Sequence, residues 1–368
     1  MISSPRLKYI DAMRGLAILL VVFSHVTNAY VKMPITNASF AGVYYMMTMF
    51  RMPLFFFVSG FFAYRAAERW DRATVGRVSF KKFKAQIVGL AVFCFLYGII
   101  MRSGHFDFIR TSNPYWFTES LFEMFFIYLG VALLERKTGN TRLMPVLLAI
   151  AAIAPFLYNH ATQGVRLPEW LAALQPWHTV NYFPYFMLGI FARKYEWQLW
   201  RIVDNQYFRG AVIAIFFSLV IFYGCNHRYS LQWDFVQTAM RLTGLMTVLV
   251  TFRAYRDSFE AGNRTGDALC FIGKRTLDIY YLHYFFIPDL SFMKGFLSTG
   301  PGNSVLMMLI LGLTISAAVV ALCLLVSAVL RSSTVLASWL FGAGTSEKRK
   351  ACKIEANGLE EEAEACRV

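Results

Sequence analysis

Paired cysteines are missing from this chain. The six cysteines, among them Cys94, Cys270, Cys323, Cys352 and Cys366, show no CxxC or framework spacing, so no disulfide scaffold is encoded and no redox compartment can be read from them. HExxH and every other metal-ligand spacing are absent, as are a GxSxG elbow and a Walker loop, which argues against a metalloprotease and an ATP-driven pump. Internal repeats and a second soluble domain are lacking too. Charge is scarce, at 16% of residues, and acid scarcer still, with 22 Asp and Glu against 36 Lys and Arg.

Apolar surface is abundant. Hydrophobic residues make up 57% of the 368 and aromatic residues 17%, more than a soluble protein of this length needs. Apolar runs of bilayer-spanning length recur, giving ten expected spans at roughly 11–30, 41–64, 85–101, 115–134, 143–158, 179–192, 210–224, 235–252, 271–288 and 304–330. Arg6 and Lys8 precede the first run as in a signal peptide. No small-residue cleavage site follows, so a retained helix is expected. The net charge of +14 sits between apolar runs, which points to membrane orientation rather than nucleic acid. With this topology only Lys32, Arg102, Arg110, Arg166, Arg228 and Lys294 fall in loops opposite the N-terminus. By the positive-inside rule both termini are expected in the cytoplasm. The fold class that follows is an all-α, polytopic integral membrane protein with about ten transmembrane helices. A membrane domain is expected over 1–335 and a mobile polar cytoplasmic tail over 336–368.

Ionisable residues inside the spans are the candidates for chemistry, because each costs ~3 kcal/mol even on a lenient insertion scale. Arg14 and His25 lie at i and i+11 of the first span, about 3.1 helical turns apart, so both project from one face with an axial separation of ~16 Å. Asp11 stands three residues before Arg14 on that face and can neutralise or hold its guanidinium. Of six histidines, His105, His160, His178 and His227 fall in outer loops as solvated side chains, and only His25 and His283 lie within spans. Imidazole can take a proton from a hydroxyl near neutral pH, whereas a histidine bonded to a backbone carbonyl is merely structural. Arg51, two residues before Pro53, must face protein, water or ligand. Its structural partners would be Glu119 and Glu123, at i and i+4 of the fourth span. Arg241 is a similar intramembrane cation. The loop after the second span carries Arg65, Arg69, Arg72, Arg77, Lys81, Lys82 and Lys84, which suits anionic lipid or a polyanionic cytosolic ligand.

Several of these residues also form a pattern. Asp11-x-x-Arg14-Gly15, the Arg14-to-His25 spacing and the MPLFFFVSGFF run at 52–62 resemble the acyltransferase-3 family of bacterial membrane enzymes. TyrTrpPheThr at 115–118, AsnTyrPheProTyrPheMetLeuGly at 181–189 and IleTyrTyrLeuHis at 279–283 are similar to its later helices, so the resemblance covers about 5–335. Two departures stand out: the stretch entering the third helix, usually arginine-rich, is here lysine-rich (Lys81, Lys82, Lys84), and the proline expected soon after is absent, with Gly89 nearby.

The resemblance implies transfer of an acyl group, acetyl by default and succinyl as an option, from cytosolic acyl-CoA to a sugar hydroxyl of an extracytoplasmic or lipid-linked polysaccharide. Acyl-CoA is then a co-substrate with no bound cofactor and no metal, and the partners are acyl-CoA, a glycan acceptor and membrane lipids, with no nucleic acid. The expected location is the bacterial inner membrane. Expected catalytic residues are His25, Arg14 and Arg51. Expected acyl-CoA contacts are Arg14, Arg65, Arg69, Arg72, Lys82 and Lys84, and Asp11, Glu119, Glu123, Arg241 and His283 are expected to support the acceptor side. No esterase-like domain follows in this sequence, so the acceptor is expected to meet the membrane part directly. Whether His25 acts as base or forms an acyl-histidine stays open at this level, and a carrier of a lipid-linked sugar or organic anion, or a passive scaffold, are the rival classes.

Overall fold

Apolar runs in a bilayer must satisfy their backbone hydrogen bonds internally, and helices do so. The computed structural model describes residues 7–30, 38–66, 69–101, 113–163, 165, 167–168, 171–172, 174–223, 231–298 and 300–342, and the helices among them follow the expected spans. Lys8–Tyr30 forms α1, Ala38–Met49 α2, Arg51–Ala63 α3 and Arg72–Lys82 α4, and a π-helical stretch at Phe83–Val88 leads into Gly89–Met101, α5. Trp116–Thr138 is α6, Leu143–Ala161 α7, Pro176–Lys194 α8, Glu196–Val203 α9, Gln206–Tyr223 α10 and Leu231–Ala254 α11. Arg256–Ala261 (α12), Arg264–Lys274 (α13), Thr276–Phe286 (α14), Lys294–Ser298 (α15), Val305–Leu330 (α16) and Thr334–Phe341 (α17) complete the order.

All ten expected segments are helical, but among the described residues seven helices are long and apolar enough to cross a membrane, or eight if one bent pair counts as a span. The shortfall has local causes. Segment 179–192 lies in α8, which His178, Asn181, Arg193 and Lys194 make too polar. Segment 210–224 qualifies only with α9, across a 76° bend. Segment 271–288 is divided at Arg275 into α13 and an α14 of 11 residues.

The bundle is centred on α1, whose apolar window is 78% buried against 17% for the peripheral α7. Two close backbone approaches fix that arrangement. A Cβ on Gly15 would lie 2.1 Å from the Leu269 carbonyl oxygen, and one on Gly273 would lie 1.9 Å from that of Asp11, so α1 and α13 touch backbone to backbone. Cys270 adds its thiol to this contact, donating to the Lys8 carbonyl at 3.2 Å. Likewise α3 and α8 meet at Gly60 and Gly189, where a Cβ would come within 2.0 Å of the Phe186 and Phe57 oxygens. Small residues at such crossings are how helices associate in lipid, where apolar burial alone gives no preference.

The π-helical stretch frees backbone carbonyls, and the Tyr281 hydroxyl lies 3.1 Å from that of Ala85 and 3.3 Å from that of Gln86, tying α14 to α5. Residues 336–342, expected as the start of a polar tail, belong to α17 and its end. Ser333 caps α17 and Gly342 ends it in a left-handed turn, while Lys84 donates to Ser338 at 2.8 Å, so the packed body runs to Gly342. Residues 343–368 lie outside the described residues. Outside the spans, the Arg253 and Arg256 guanidiniums around Asp204 hold its carboxyl below the usual carboxylate range.

The crossing makes a sharp prediction. Gly189→Leu should destabilise the detergent-solubilised protein by about 3 kcal/mol or more, whereas Gly130→Leu, with nothing within 4 Å, should leave Tm unchanged. Equal thermal unfolding of the two variants would contradict the packing.

Candidate active site

Two clusters flank α1, one at each end of its Arg14–His25 stripe. At the end where the basic loops gather, Arg14 donates from Nη2 to the Thr276 hydroxyl at 3.1 Å and sits over the Phe62 ring at 5.9 Å. Thr276 opens α14, so this bond sets the helix that carries His283. Lys82 is close enough to Arg14 for direct electrostatic repulsion, and its ammonium lies 4.9 Å from the Phe125 ring centre. Two cations on neighbouring helices at this end give it a positive character. Asp11, beneath Arg14, is buried, and its carbonyl is the one pressed against Gly273.

Within the first turn of α14 a buried ion network fixes the same helix. Asp278, 0% exposed, takes Arg331 bidentately at 2.6 and 2.8 Å, accepts from the Ser327 hydroxyl and lies 3.6 Å from Arg275. A carboxylate this deep is tolerated only with such complete pairing. Sequence reasoning missed it, because the partners Ser327 and Arg331 lie 49 and 53 residues from Asp278 and no spacing signals their meeting.

At the other end, His25 is partly accessible although its neighbours Ser24 and Val26 are buried. Its Nε2 lies 3.1 Å from the Tyr284 hydroxyl, and its ring centre is 5.3 Å from that of His283. His283 is 0% exposed, with Nδ1 3.0 Å from the Ile279 carbonyl. That carbonyl requires a proton on Nδ1, which leaves Nε2 a bare acceptor, buried and without a partner. Arg51 acts electrostatically on both His25 and Tyr284, and its Nε and Nη1 are buried without partners among the described residues. Orphaned buried donors and acceptors are costly, so each of these atoms calls for an explanation.

The expected pairing of Arg51 with Glu119 and Glu123 is overturned: among the described residues no ion pair joins them. Glu123 instead accepts from the Thr179 hydroxyl at 2.5 Å, and Glu119 Oε2 is buried without a partner. Arg241 lies over the Tyr182 ring at 5.5 Å. His178 is not a solvated loop residue. It occupies the first turn of α8 and stacks on Trp116 with ring centres 4.0 Å apart. Its place after Pro176 marks a helix start, which was the available signal. His160 ends α7, and His105 and His227 lie outside the described residues.

In the basic loop, Arg65, Arg69 and Arg72 are exposed at the surface near the Arg14 end. Arg65 stacks over Trp70 at 5.7 Å, and its backbone N–H and carbonyl are 3.1 and 3.2 Å from the Tyr128 hydroxyl. Lys84 is turned away, bonded to Ser338 and 5.1 Å from the Trp339 ring, so α17 holds it rather than a loop ligand. Between Arg14 and His25 the stripe itself is filled, because Ile18, Val21 and Val22 are buried.

The motifs that looked separate in sequence meet here. The Tyr280 hydroxyl accepts from the Phe117 N–H at 3.1 Å, and the Tyr115 hydroxyl donates to the Tyr281 carbonyl at 3.2 Å, joining 115–118 to 279–283. Tyr182 stacks on Phe56 and Trp116 at 5.2 and 5.5 Å, drawing in 181–189 and 52–62. No curated protein and no solved structure matches the chain. Residues 7–330 match the sequence model of one family, described as an acyltransferase domain. That match takes in every helix from α1 to α16, and the chain therefore belongs to the acyltransferase-3 family of membrane acyltransferases.

Proposed function

We propose that the protein moves an acyl group, acetyl in the first instance, from cytosolic acyl-CoA to a sugar hydroxyl of a polysaccharide that is extracytoplasmic or lipid-linked. The observation that carries this reading is the division of labour along α1: a paired-cation site at Arg14 and Lys82, and an imidazole with an unsatisfied guanidinium at His25 and Arg51. The basic-loop end is read as cytoplasmic, by the positive-inside rule, and the ten-span topology with both termini there goes with it. Bacterial inner membrane is the location this implies.

The CoA phosphates would rest on Arg14 and Lys82, with Arg65, Arg69 and Arg72 as the outer collar. The pantetheine arm would part the Ile18, Val21 and Val22 side chains to reach His25, a closed path that keeps water from the thioester until substrate binds. His25 takes the proton of the acceptor hydroxyl, whose oxygen attacks the thioester carbonyl. Arg51 faces the developing oxyanion. The C–S bond then breaks, and His25 returns the proton to the departing sulfur. His283 Nε2 and Glu119 Oε2, acceptors without partners, suit hydroxyls of a sugar ring, with Arg241, Glu123 and Asp11 acting at longer range.

His25→Ala should insert and accumulate normally yet lose acyl transfer by roughly 10²–10⁴-fold, the usual worth of a positioned base. The assay is mass spectrometry of surface glycans from cells carrying either form, and an unchanged acyl mass increment would refute the assignment. Lys82→Ala should raise KM for acetyl-CoA on the order of tenfold, the loss of one charge-assisted contact, in a thiol-release assay. Lys84→Ala, whose ammonium already serves Ser338, should leave KM unchanged. The opposite ranking would move the CoA site.

A further inference from the structure

Tyr284 has no part in the reaction just described, yet it makes the one hydrogen bond that His25 has to the described residues, at 3.1 Å from Nε2. The other ring nitrogen, Nδ1, has no hydrogen-bond partner among the described residues, on a side chain that is partly accessible. The neighbouring His283 cannot substitute for Tyr284. Its Nδ1 is committed to the Ile279 carbonyl, and it meets His25 by ring contact only.

Tyr284 is itself immobilised. Its ring packs 4.1 Å from His283, 5.7 Å from Tyr115 and 6.0 Å from Tyr97, and Tyr115 is pinned in turn by its bond to the Tyr281 carbonyl. An imidazole without a partner rotates broadly about its second side-chain torsion and exchanges tautomers, and one bond from a fixed group ends both. A base held by a third, rigid group is the arrangement nucleophile–base pairs use elsewhere.

We propose that Tyr284 is a positioning residue: its oxygen accepts the Nε2–H of His25, which fixes the ring and leaves the Nδ1 lone pair as the base. This rests on the acyl-transfer reading above. In the step, the acceptor O–H bond breaks and its proton moves to Nδ1, while Nε2–H stays on Tyr284. The acceptor oxygen bonds the acyl carbon, the C–S bond breaks, and Nδ1 gives the proton to the sulfur. Tyr284 touches neither substrate and is unchanged throughout.

The test compares wild type, Tyr284→Phe and Tyr97→Phe in nanodiscs, using acetyl-CoA and the total glycolipid extract of the source cell, with solid-state nitrogen NMR of histidine-labelled protein. The expected result is an Nε2–H tautomer for His25 in wild type and a mixture in Tyr284→Phe. With it, kcat falls about 10- to 100-fold, part of the worth of a positioned base, KM for acetyl-CoA is unchanged and the pH–rate limb moves. Tyr97→Phe should match wild type in both readouts. A wild-type Nδ1–H tautomer, wild-type turnover in Tyr284→Phe, or a fall in kcat with tautomer and pH limb unmoved would each overturn the inference. If wild type releases no CoA but the tautomer still changes in Tyr284→Phe, the function reading falls and the positioning of His25 stands.

Discussion

Everything at the site depends on how closely α1 lies against the α13–α14 pair. Gly15 and Gly273 let two backbones touch, and that contact sets the register in which Arg14 meets Thr276 and His25 meets Tyr284. A side chain at either glycine would push the helices apart by more than a hydrogen bond can stretch. The Arg14-Gly15 pair thus combines two jobs in adjacent residues: one supplies charge, the other brings the helix near enough for that charge to matter.

Charge buried in a bilayer is costly, and this protein treats its buried ions in two different ways. Asp278 is fully paired with Arg331, Ser327 and Arg275, and it behaves as a structural rivet that orients α14. Arg51, Glu119 and His283 keep buried atoms without partners among the described residues, and the His283 ring lies against that of His25. Full pairing favours stability, whereas unpaired buried atoms cost it, so the two sets differ in what they do for the fold.

Much of this was legible in the sequence, for reasons of periodicity. Arg14 and His25 stand out because eleven residues close nearly whole turns, and apolar runs locate helices well. What was not legible is what depends on tertiary partners. Glu119 and Glu123 had the right spacing to neutralise Arg51, yet the structure gives Glu123 to Thr179 on another helix. Lys84 looked like one more loop cation until α17, expected as mobile tail, folded back to hold it. Tyr284 had no signal beyond standing next to a histidine. The helix breaks at Arg275 and at the α9–α10 bend were not legible either, because hydropathy averages across a break.

The central claim is that acyl-CoA lies along α1 with its phosphates at Arg14 and Lys82 and its acyl carbon at His25. The most direct measurement is an electron cryo-microscopy structure with a non-hydrolysable acetyl-CoA analogue in which the sulfur is replaced by a methylene. The account predicts phosphate density on Arg14 and Lys82, displaced Ile18, Val21 and Val22 side chains, and the carbonyl within hydrogen-bond reach of Arg51. Density for the analogue elsewhere, with those three side chains still packed as they are here, would contradict it.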